Sequence, residues 1–560
     1  MQFKQTLLRL VLILSPLTVF SQHSFLPQGD KANILMERLE IKSRTDSFFN
    51  YSKDKPFNRR HLVAAVQHYL LQPGITLSKV DAYNAQRVLV NNPEYLTEAE
   101  RSKYKSKKPI WKNFYTSPGS LYEVHIKDFD LVVNPLIQVT VSKESNNDET
   151  LYQNTRGVSI RARLANKIGF YSSITDNQEK VPGYVREFIT AKRAVPGAGF
   201  YKDFKTTGYD YFDARGYFTF NVTRYIDVAF GYDRNFIGNG YRSLYLSDFG
   251  NSNLFLKLNT RIWRFNYQNL FMELHNADNR IGDKLIGKKY AAMHHLDINI
   301  TKWLNIGLFE GVIFGRKDRF DFGYLNPIIF YRSIEQQNGS FDNSVVGLDV
   351  KANIKKKIQV YGQLLLDEFN LGEIKAGNGW WANKFGIQLG AKYVDAFGIS
   401  NLDLQLEHNR VRPFTYSHND SVANYTHYNQ PLAHPLGASF SEFIGIARYQ
   451  PAPKWLVQGK LIYYTQGRDS TAQSYGSNIF YPNIPPFRTG DYGYDIGSGW
   501  KTNVFIGALL LSYEWKENLF VELNAQYRKL DTKTAPIVSS NSTVLSLGVR
   551  WNLARRDFDF

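Results

Sequence analysis

Histidine, serine and glycine residues are the groups through which this 560-residue chain could perform chemistry. His294 and His295 are adjacent in a stretch of alternating apolar and polar residues, so their side chains point to opposite faces of a strand and cannot share one metal. Gly238-Asn239-Gly240 opens no helix after a strand, which excludes a dinucleotide-binding turn, and no serine lies in a nucleophile-elbow context. We therefore predict no catalytic residues, no cofactor and a protein that is not an enzyme.

A second group of histidines lies in or beside one predicted loop, residues 411–435. The group consists of His408, His418, His427 and His434, with Asp420 among them. Such spacing could bind a divalent cation, but no motif sets the geometry, so we interpret them as ordinary polar loop residues without a metal. The chain has no cysteine, which excludes disulfides, cysteine-ligated zinc, iron–sulfur clusters, a cysteine nucleophile and a lipoprotein anchor.

Aromatic residues make up 15% of the chain, and many of them lie in two predicted loops, residues 370–381 and 468–500. Flat aromatic faces can stack on sugar rings, while neighbouring Arg, Asp and Asn side chains can bind hydroxyl or acidic groups. For Trp380 and Trp381, an aromatic girdle at a lipid boundary is an equal alternative. The predicted glycan or partner contacts are Arg234, Tyr241, Arg242, Trp380, Trp381, Arg488, Tyr492, Tyr494 and Trp500.

The first 21 residues predict an export signal. Lys4 and Arg9 form a positive start, an apolar run extends through Phe20, and cleavage is expected before Gln22. A short buried helix is the alternative. Removing Lys4 and Arg9 lowers the formal charge from +17 to +15. Export argues against a nucleic-acid partner. We therefore expect the basic side chains to bind an acidic polymer outside the cytoplasm.

Residues 22–120 are predicted to form a helical periplasmic or plug domain, with helix continuing to residue 120. The apolar pattern predicts a helix over residues 58–71 and a second that continues to about residue 91. Thr97-Glu98-Ala99-Glu100 is a capping box that predicts a third helix. A solvated spacer is the alternative interpretation.

From about residue 128 the apolar pattern has a period of two, as in residues 158–164 and 545–551. Long strands that keep this period are typical of a transmembrane barrel, apolar toward lipid and polar toward the lumen, rather than of stacked soluble sandwiches. In lipid every backbone group must pair internally, so the sheet must close. We predict an all-β fold, an antiparallel outer-membrane barrel over residues 121–560, with about eighteen strands. The strands are expected to start near residues 128, 151, 167, 212, 224, 253, 267, 289, 303, 343, 357, 382, 399, 436, 454, 501, 518 and 542.

The connections between these strands alternate between short and long. Short links are expected at Asn166, Thr223, Phe265-Asn266, Thr301-Lys302, Lys355-Lys356, Ala396 to Gly398, Gln450 to Pro453 and Trp515 to Glu517. This rhythm is typical of barrels with tight periplasmic turns and long external loops. Phe558 and Phe560 fall on the polar parity of the last strand, so the tail is expected to bulge or leave the sheet.

The side chains predicted to face the lumen are polar and of both signs. They include Arg161, Arg163, Lys257, Arg261, Asp403, Glu407, Glu522 and Arg550. These residues could line a selective water channel, or they could cross-link a barrel that is closed by inward loops and the N-terminal helices. The sequence pattern leaves both possibilities open.

Several segments resemble the Wzi-like capsule-assembly family, and especially its branch containing the gliding-motility protein RemB. The similar segments are residues 233–248, which include Gly238-Asn239-Gly240-Tyr241-Arg242, residues 324–343, which include Tyr324-Leu325-Asn326-Pro327, and residues 181–184 and 196–200. The resemblance implies an eighteen-stranded outer-membrane barrel with a periplasmic helical bundle. It also implies a surface lectin that helps to hold capsular polysaccharide. Enterobacterial members carry a tryptophan-rich form of the first segment, where this chain has Phe236, Tyr241 and Leu244.

The sequence therefore predicts an outer-membrane barrel that binds or anchors capsular or other surface polysaccharide, in capsule assembly and with a link to gliding motility. The expected partners are this polysaccharide, outer-membrane lipid and lipopolysaccharide, and motility or secretion proteins. A substrate-selective porin is one alternative. A barrel subunit of a motility or secretion assembly is the other.

Overall fold

The computed structural model describes residues 23–43, 51–71, 77–165, 167–276, 285–470, 473–533 and 538–560. The predicted signal peptide, residues 1–21, and the predicted turn at Asn166 lie outside these residues. In the described part of the chain, no helix is both long enough and apolar enough to cross a membrane.

Eighteen antiparallel strands form a closed barrel, because the last strand pairs with the first. They are β1 Phe129–Glu144, β2 Thr150–Leu164, β3 Ile168–Lys180, β4 Gly208–Thr223, β5 Ile226–Asp233, β6 Asn253–Ile262, β7 Phe265–Asn276, β8 Gly287–Asn299, β9 Leu304–Phe314, β10 Asn343–Ile354, β11 Ile358–Glu368, β12 Lys384–Tyr393, β13 Leu402–Val411, β14 Phe440–Tyr449, β15 Trp455–Arg468, β16 Trp500–Lys516, β17 Leu519–Thr532 and β18 Ser539–Trp551. The predicted barrel, its strand count and the approximate start of each strand are confirmed. Three predicted turns are misplaced, since Thr223 belongs to β4, Phe265 and Asn266 to β7, and Trp515 and Lys516 to β16. The turns at these places consist of residues 224–225, 263–264 and 517–518.

Alternating side chains make the outer wall apolar and the lumen polar, as the period of two requires. Val139, Val141, Leu545 and Leu547 point outward and are 50–59% exposed. The intervening positions face inward, where Arg550 is buried. Closure satisfies the backbone of every barrel strand without leaving a sheet edge, which is the condition for a sheet to cross lipid.

The two ends of the barrel differ. The turn end carries short connections such as residues 224–225, 263–264 and 517–518. The loop end carries long ones, including residues 181–207, 234–252, 315–342, 369–383, 412–439 and 469–499. Both the first residue of β1 and the last residue of β18 lie at the turn end, so the N-terminal segment and the C-terminal tail enter the barrel from the same side.

Among the described residues before the barrel, the helices are α1 Lys31–Ser43, α2 Arg59–Leu71, α3 Lys79–Val90 and α4 Glu98–Ser102. The predicted capping box at α4 is confirmed, because Thr97 and Glu100 bond to each other's backbone N–H. Helix does not continue to residue 120, because prolines, a glycine and left-handed backbone at Trp111, Lys112 and Tyr115 interrupt residues 103–121. A short strand, Tyr122–Ile126, then pairs with β1.

Three further helices lie in loop-end connections: α5 Gly183–Lys192, α6 Tyr331–Gln337 and α7 Leu371–Ala376. The remaining elements are 3-10 turns at Pro93–Tyr95, Phe322–Leu325 and Ala396–Gly398, a short strand at Lys202–Phe204, and two small sheets that pair Asp54–Lys55 with Phe236–Ile237 and Thr426–His427 with Gln430–Pro431.

Candidate functional site

The N-terminal helices occupy the lumen at the turn end. Helices α1, α2 and α3 pack around a shared apolar core that contains Leu39, Leu62 and Val88. Their polar faces bind the barrel: the Arg38 guanidinium contacts Asp81 on α3 as well as Asp395 and Asp403 of the wall. The helical segment is therefore held inside the barrel by buried, charge-assisted bonds.

Every predicted lumen residue contacts a segment that fills the barrel. The pairs are Arg161 with Glu94, Arg163 with the Tyr95 ring, Lys257 with Asn235, Arg261 with the Tyr51 ring, Asp403 with Arg38, Glu407 with the Tyr241 backbone, Glu522 with Arg555, and Arg550 with the Leu553 carbonyl. This arrangement matches the cross-linked interpretation of the lumen.

A long loop-end connection folds inward and meets the N-terminal segment inside the lumen. This inward loop, residues 234–252, pairs Phe236 and Ile237 with Lys55 and Asp54. Further along, the Glu407 carboxylate accepts the backbone N–H of Tyr241 at 2.7 Å and of Arg242 at 3.0 Å. The first segment of the family resemblance is thus a structural element of the lumen.

Two glycines of this loop are required by close approach. A Cβ on Gly240 would lie 2.6 Å from a Glu407 carboxylate oxygen, and one on Gly238 would lie 2.9 Å from the side-chain nitrogen of Gln363. Gly238 also has a positive φ of 154°. A side chain at position 240 would also lie 2.6 Å from the Arg242 carbonyl, which is backbone, so a substitution there requires the loop itself to shift.

The assignment of Tyr241 and Arg242 to an outer contact surface is wrong, because Glu407 and the tail draw them into the lumen. Arg234 lies at the base of the same loop and donates to the carbonyls of Gly197 and Asp248. Burial and the neighbouring Arg215 lower the pKa of Arg234 to about 10. Arg234 therefore braces loops against each other.

The C-terminal tail, residues 552–560, leaves the sheet and runs up the lumen from the turn end. Arg556 pairs with Glu179 near the loop end of β3, and the Phe560 ring packs against Tyr184, Phe188 and Phe249. This outcome agrees with the parity of Phe558 and Phe560, which required the tail to bulge or depart. The tail thus links wall residues of the lumen to the underside of the loop-end connections.

Asp559 is the polar centre of this tail. Its carboxylate accepts from Lys460 at 2.6 Å, from Arg242 at 3.1 Å and from the Tyr241 hydroxyl. Burial alone would raise the pKa of Asp559, but Arg242 and Lys460 hold it well below its ordinary value. Burial and the Asp559 charge raise the pKa of Tyr241. The cluster therefore keeps an ionised carboxylate and a neutral phenol.

Small cavities lie among the described residues inside the barrel. Two cavities of about 70 and 80 Å³ lie between the N-terminal segment and the wall. The first is lined by residues that include Phe25, Glu40 and Lys257, and the second by residues that include Arg87 and Arg550. Each volume suits a few water molecules rather than a sugar chain.

The histidines of the 411–435 region do not converge. His434 bonds to Glu442 at 2.7 Å, His427 to the Ser252 carbonyl at 3.0 Å, and His408 to Ser441 at 3.0 Å. Across the described residues, no group of three or more His, Asp or Glu side chains is arranged to hold a metal ion.

Two loop-end connections join to form an aromatic surface. The backbone N–H groups of Gly493 and Tyr494 donate to the carbonyls of Asn378 and Gly379, both at 2.9 Å. We call the resulting surface the aromatic face; it consists of Trp380, Trp381, Tyr481, Phe487 and Tyr492. Tyr492 is 55% exposed, and Tyr481 and Phe487 stack with ring centres 5.5 Å apart.

Buried residues hold this face in place. The Arg488 guanidinium lies 4.2 Å from the Trp381 ring centre and pairs with Asp491, and the Tyr494 ring packs against Phe414. Arg488 and Tyr494 are therefore supports rather than contacts. Trp500 is half-buried at the start of β16, opposite Arg468, and takes no part in the face.

One residue of a basic segment, Lys192, approaches the aromatic face, which the sequence pattern did not indicate. Lys192, at the end of α5, lies 4.2 Å from the ring centre of Phe480, the residue before Tyr481. The connection from residue 181 to 207 carries five basic residues, Arg186, Lys192, Arg193, Lys202 and Lys205, against Glu187 and Asp203. This charge bias was visible in the sequence, but the contact of Lys192 with Phe480 depends on the fold. We call Lys192, Arg193, Lys202 and Lys205 the basic arm.

Comparison with known proteins supports the fold. No family model matches the chain, and no curated protein matches it either. Among solved structures, Wzi of Escherichia coli, an outer-membrane protein involved in group 1 capsule assembly and a carbohydrate-binding β-barrel, matches 95% of this chain and 100% of its own, with 12% identity and a TM-score of 0.56. At this identity the likeness establishes a shared barrel architecture and no shared activity.

Porin structures are also similar over part of the chain. OprD of Pseudomonas aeruginosa covers 76% of this chain and 94% of its own, with 10% identity and a TM-score of 0.41. OccAB2 of Acinetobacter baumannii covers 75% and 98%, with 12% identity and a TM-score of 0.40.

Proposed function

We propose that this protein is a non-enzymatic outer-membrane barrel that binds surface polysaccharide with its loop end. The observation that carries the proposal is the aromatic face, which is held by buried supports and approached by the basic arm at Lys192. Rigid aromatic side chains offer large contact area at low conformational cost, and the adjacent cations raise the local concentration of an acidic polymer.

The proposed orientation places the loop end at the cell surface and residues 22–120 in the periplasm, after removal of residues 1–21. The outward apolar side chains then face the membrane, including lipopolysaccharide in its outer leaflet. The likeness to the carbohydrate-binding barrel Wzi supports this placement through the fold alone. Within this proposal, the role is retention of capsular or other surface polysaccharide in capsule assembly, with a link to gliding motility.

The occupied lumen argues against a porin. The N-terminal helices, the inward loop and the tail cross the barrel and bind its wall, for example through Arg38 with Asp403 and Arg242 with Asp559. A barrel filled in this way presents its loop end as a binding surface and conducts few ions.

The proposal is tested with the purified protein in detergent micelles and in planar bilayers. We expect saturable binding to acidic capsular polysaccharide that weakens between about 50 and 500 mM salt, because screening shortens the reach of the basic arm. We expect weaker binding to neutral dextran of equal length, and no steady channel current. Steady open-channel current without glycan binding would establish the porin instead. Binding to neither polymer, with a stoichiometric protein partner on purification, would indicate the assembly subunit.

A further inference from the structure

One loop-end connection packs on the outside of the barrel. We call residues 315–342, which join β9 to β10, the outer flap; they contain the second segment of the family resemblance. The inward loop enters the lumen, whereas the outer flap folds back over the outward side chains of β7, β8 and β9. Its Tyr324 and Tyr331 are completely buried against Phe314, Tyr290 and the neighbouring wall residues.

Beneath the outer flap, the wall carries polar residues where a lipid-facing wall should be apolar. Asn269, His294 and Glu310 are neighbours across β7, β8 and β9 and point outward. All three are buried, at 2%, 6% and 6% exposure, although the adjacent outward Leu308 is 48% exposed. The outer flap is what covers them.

Specific bonds attach the outer flap to this polar patch. The Glu310 carboxylate accepts the backbone N–H groups of Tyr331 and Arg332, each at 2.9 Å, at the start of α6. The Tyr331 ring lies 3.8 Å from the His294 ring. Within the outer flap, the Tyr324 hydroxyl donates to Asp342 at 2.6 Å. The outer flap is therefore attached to the wall by specific hydrogen bonds and ring contacts.

The outer flap descends far along the wall. The Pro327 carbonyl accepts from the Tyr267 hydroxyl at 2.5 Å, and Tyr267 is the third residue of β7 counted from the turn end. Glu310 pairs with Val346 of β10, which is outward and 40% exposed. The flap thus lies at the same height as the apolar belt of its neighbouring strands.

The exposed tip of the outer flap is largely apolar, whereas the exposed charged residues Lys317, Asp318 and Arg319 lie next to the end of β9. The tip, residues 325–330, reads Leu-Asn-Pro-Ile-Ile-Phe. Ile328 is 84% exposed, Phe322 79% and Phe330 72%. Arg332, the charged residue next to the tip, is paired with Glu335 at 2.6 Å. Water would be a poor solvent for this surface, whereas hydrocarbon is a good one.

We infer that the outer flap is embedded in the membrane, with lipid acyl chains as the partner of its tip. The argument for this occupant is continuity: the tip extends the apolar belt formed by Leu308 and Leu348 at the same height. The outer flap thereby separates the polar patch of Asn269, His294 and Glu310 from lipid, with polar groups toward the wall and apolar side chains toward the membrane. The inference rests on the proposed insertion of the barrel in a membrane.

The absence of cysteine makes single-cysteine labelling a direct test. Ile328→Cys is labelled with an environment-sensitive fluorophore, and the protein is reconstituted in phosphatidylcholine vesicles that contain spin-labelled lipid. Leu348→Cys, on the bare wall and 42% exposed, is the matched lipid control. Asn419→Cys, at an exposed loop-end position, is the matched water control. Phe330→Cys repeats the measurement in case one flap variant does not fold.

We expect the labels at positions 328 and 330 to be quenched by spin-labelled lipid within twofold of the label at 348, and to resist aqueous iodide. The inference is overturned if they are quenched by iodide like the label at 419. It is also overturned if they resist both quenchers, because the tip would then be covered by protein or by a second copy. If the label at 348 escapes lipid quenching, membrane insertion itself has failed, and the proposed function fails with it.

Discussion

The binding of the C-terminal tail inside the lumen depends on the carboxylate of Asp559. The substitution Asp559→Asn tests this dependence. Asp559 is 4% exposed and lies between Lys460 and Arg242. Neutralising it leaves two buried cations, with Asp557 at 2.8 Å from Lys460 and Glu442 at 3.6 Å from Arg242 as their remaining carboxylate partners. Removing one member of a buried ion pair costs about 3–5 kcal/mol, and these remaining partners place the expected cost at about 3 kcal/mol.

This cost should appear as release of the tail rather than unfolding of the barrel, because the strands keep their pairing. A loss of about 3 kcal/mol raises the released population roughly a hundredfold. Trypsin can cut after Arg555 and Arg556 only when the tail has left the lumen, so the cleavage rate tracks that population. Intact-mass spectrometry measures the rate directly in detergent micelles.

Asp557→Asn is the matched control. Asp557 also pairs with Lys460, but its side chain is 36% exposed, so its removal should cost less than about 1 kcal/mol and raise cleavage about fivefold at most. Equal cleavage rates for the Asp559→Asn variant and the unchanged protein would refute the role given to Asp559. Equal acceleration by the two substitutions would show that general charge in the tail, and not the buried cluster, holds it.

Three further predictions concern the aromatic face and the N-terminal helices. Tyr492 is 55% exposed. Covering one face of its ring by a sugar would bury about 55 Å² of apolar surface, which is worth ~1.4 kcal/mol of binding free energy. Tyr492→Ala should therefore raise the glycan Kd about tenfold in titration calorimetry, whereas Trp111→Ala at the opposite end of the barrel should leave the Kd unchanged. Burial would raise the pKa of Glu37, but Lys392 and neighbouring cations lower it to about 2. The stability that the ionised Glu37 carboxylate contributes is therefore fully present above its ordinary pKa of about 4.3 and is lost as the pH falls toward 2. Pepsin should therefore release the helices progressively between pH 4 and 2, and equal release at both values would contradict this. Arg38→Met leaves the Asp403 carboxylate without its ion-pair partner, while Lys42 still pairs with Asp81 and Asp395. Hydrogen exchange of α1 should therefore report a local loss of about 3 kcal/mol, whereas unchanged protection would show that apolar packing alone holds the helix.

Much of the barrel was readable because its determinants are local. A period of two places alternate side chains on opposite faces, so eighteen strand starts could be located from the pattern to within four residues. The capping box at Thr97–Glu100 was equally readable, since both partners lie within one turn. The absence of helix after residue 102 was missed, although Pro109, Pro118 and Gly119 were available as signals.

The candidate site was predicted in part. Trp380, Trp381 and Tyr492 do come together, since they lie in two connections whose backbones pair. The division between exposed contacts and buried supports was not readable, because Arg488 and Tyr494 have the same residue types as contact residues. One visible signal was overlooked: Glu310 interrupts a run of outward apolar residues in β9, which indicated that something must cover it.

The sequence by itself determined the closed barrel, the polar lumen and the break in alternation at Phe558 and Phe560, because each follows from the parity of neighbouring residues. Only the tertiary structure decided the direction of the loops. The connection after β5 turns inward because Glu407, more than 160 residues away, accepts its backbone N–H groups. The connection after β9 turns outward because its backbone finds Glu310 on the outer wall. Such partners are far apart in the chain, so no local pattern encodes which of them a loop will meet.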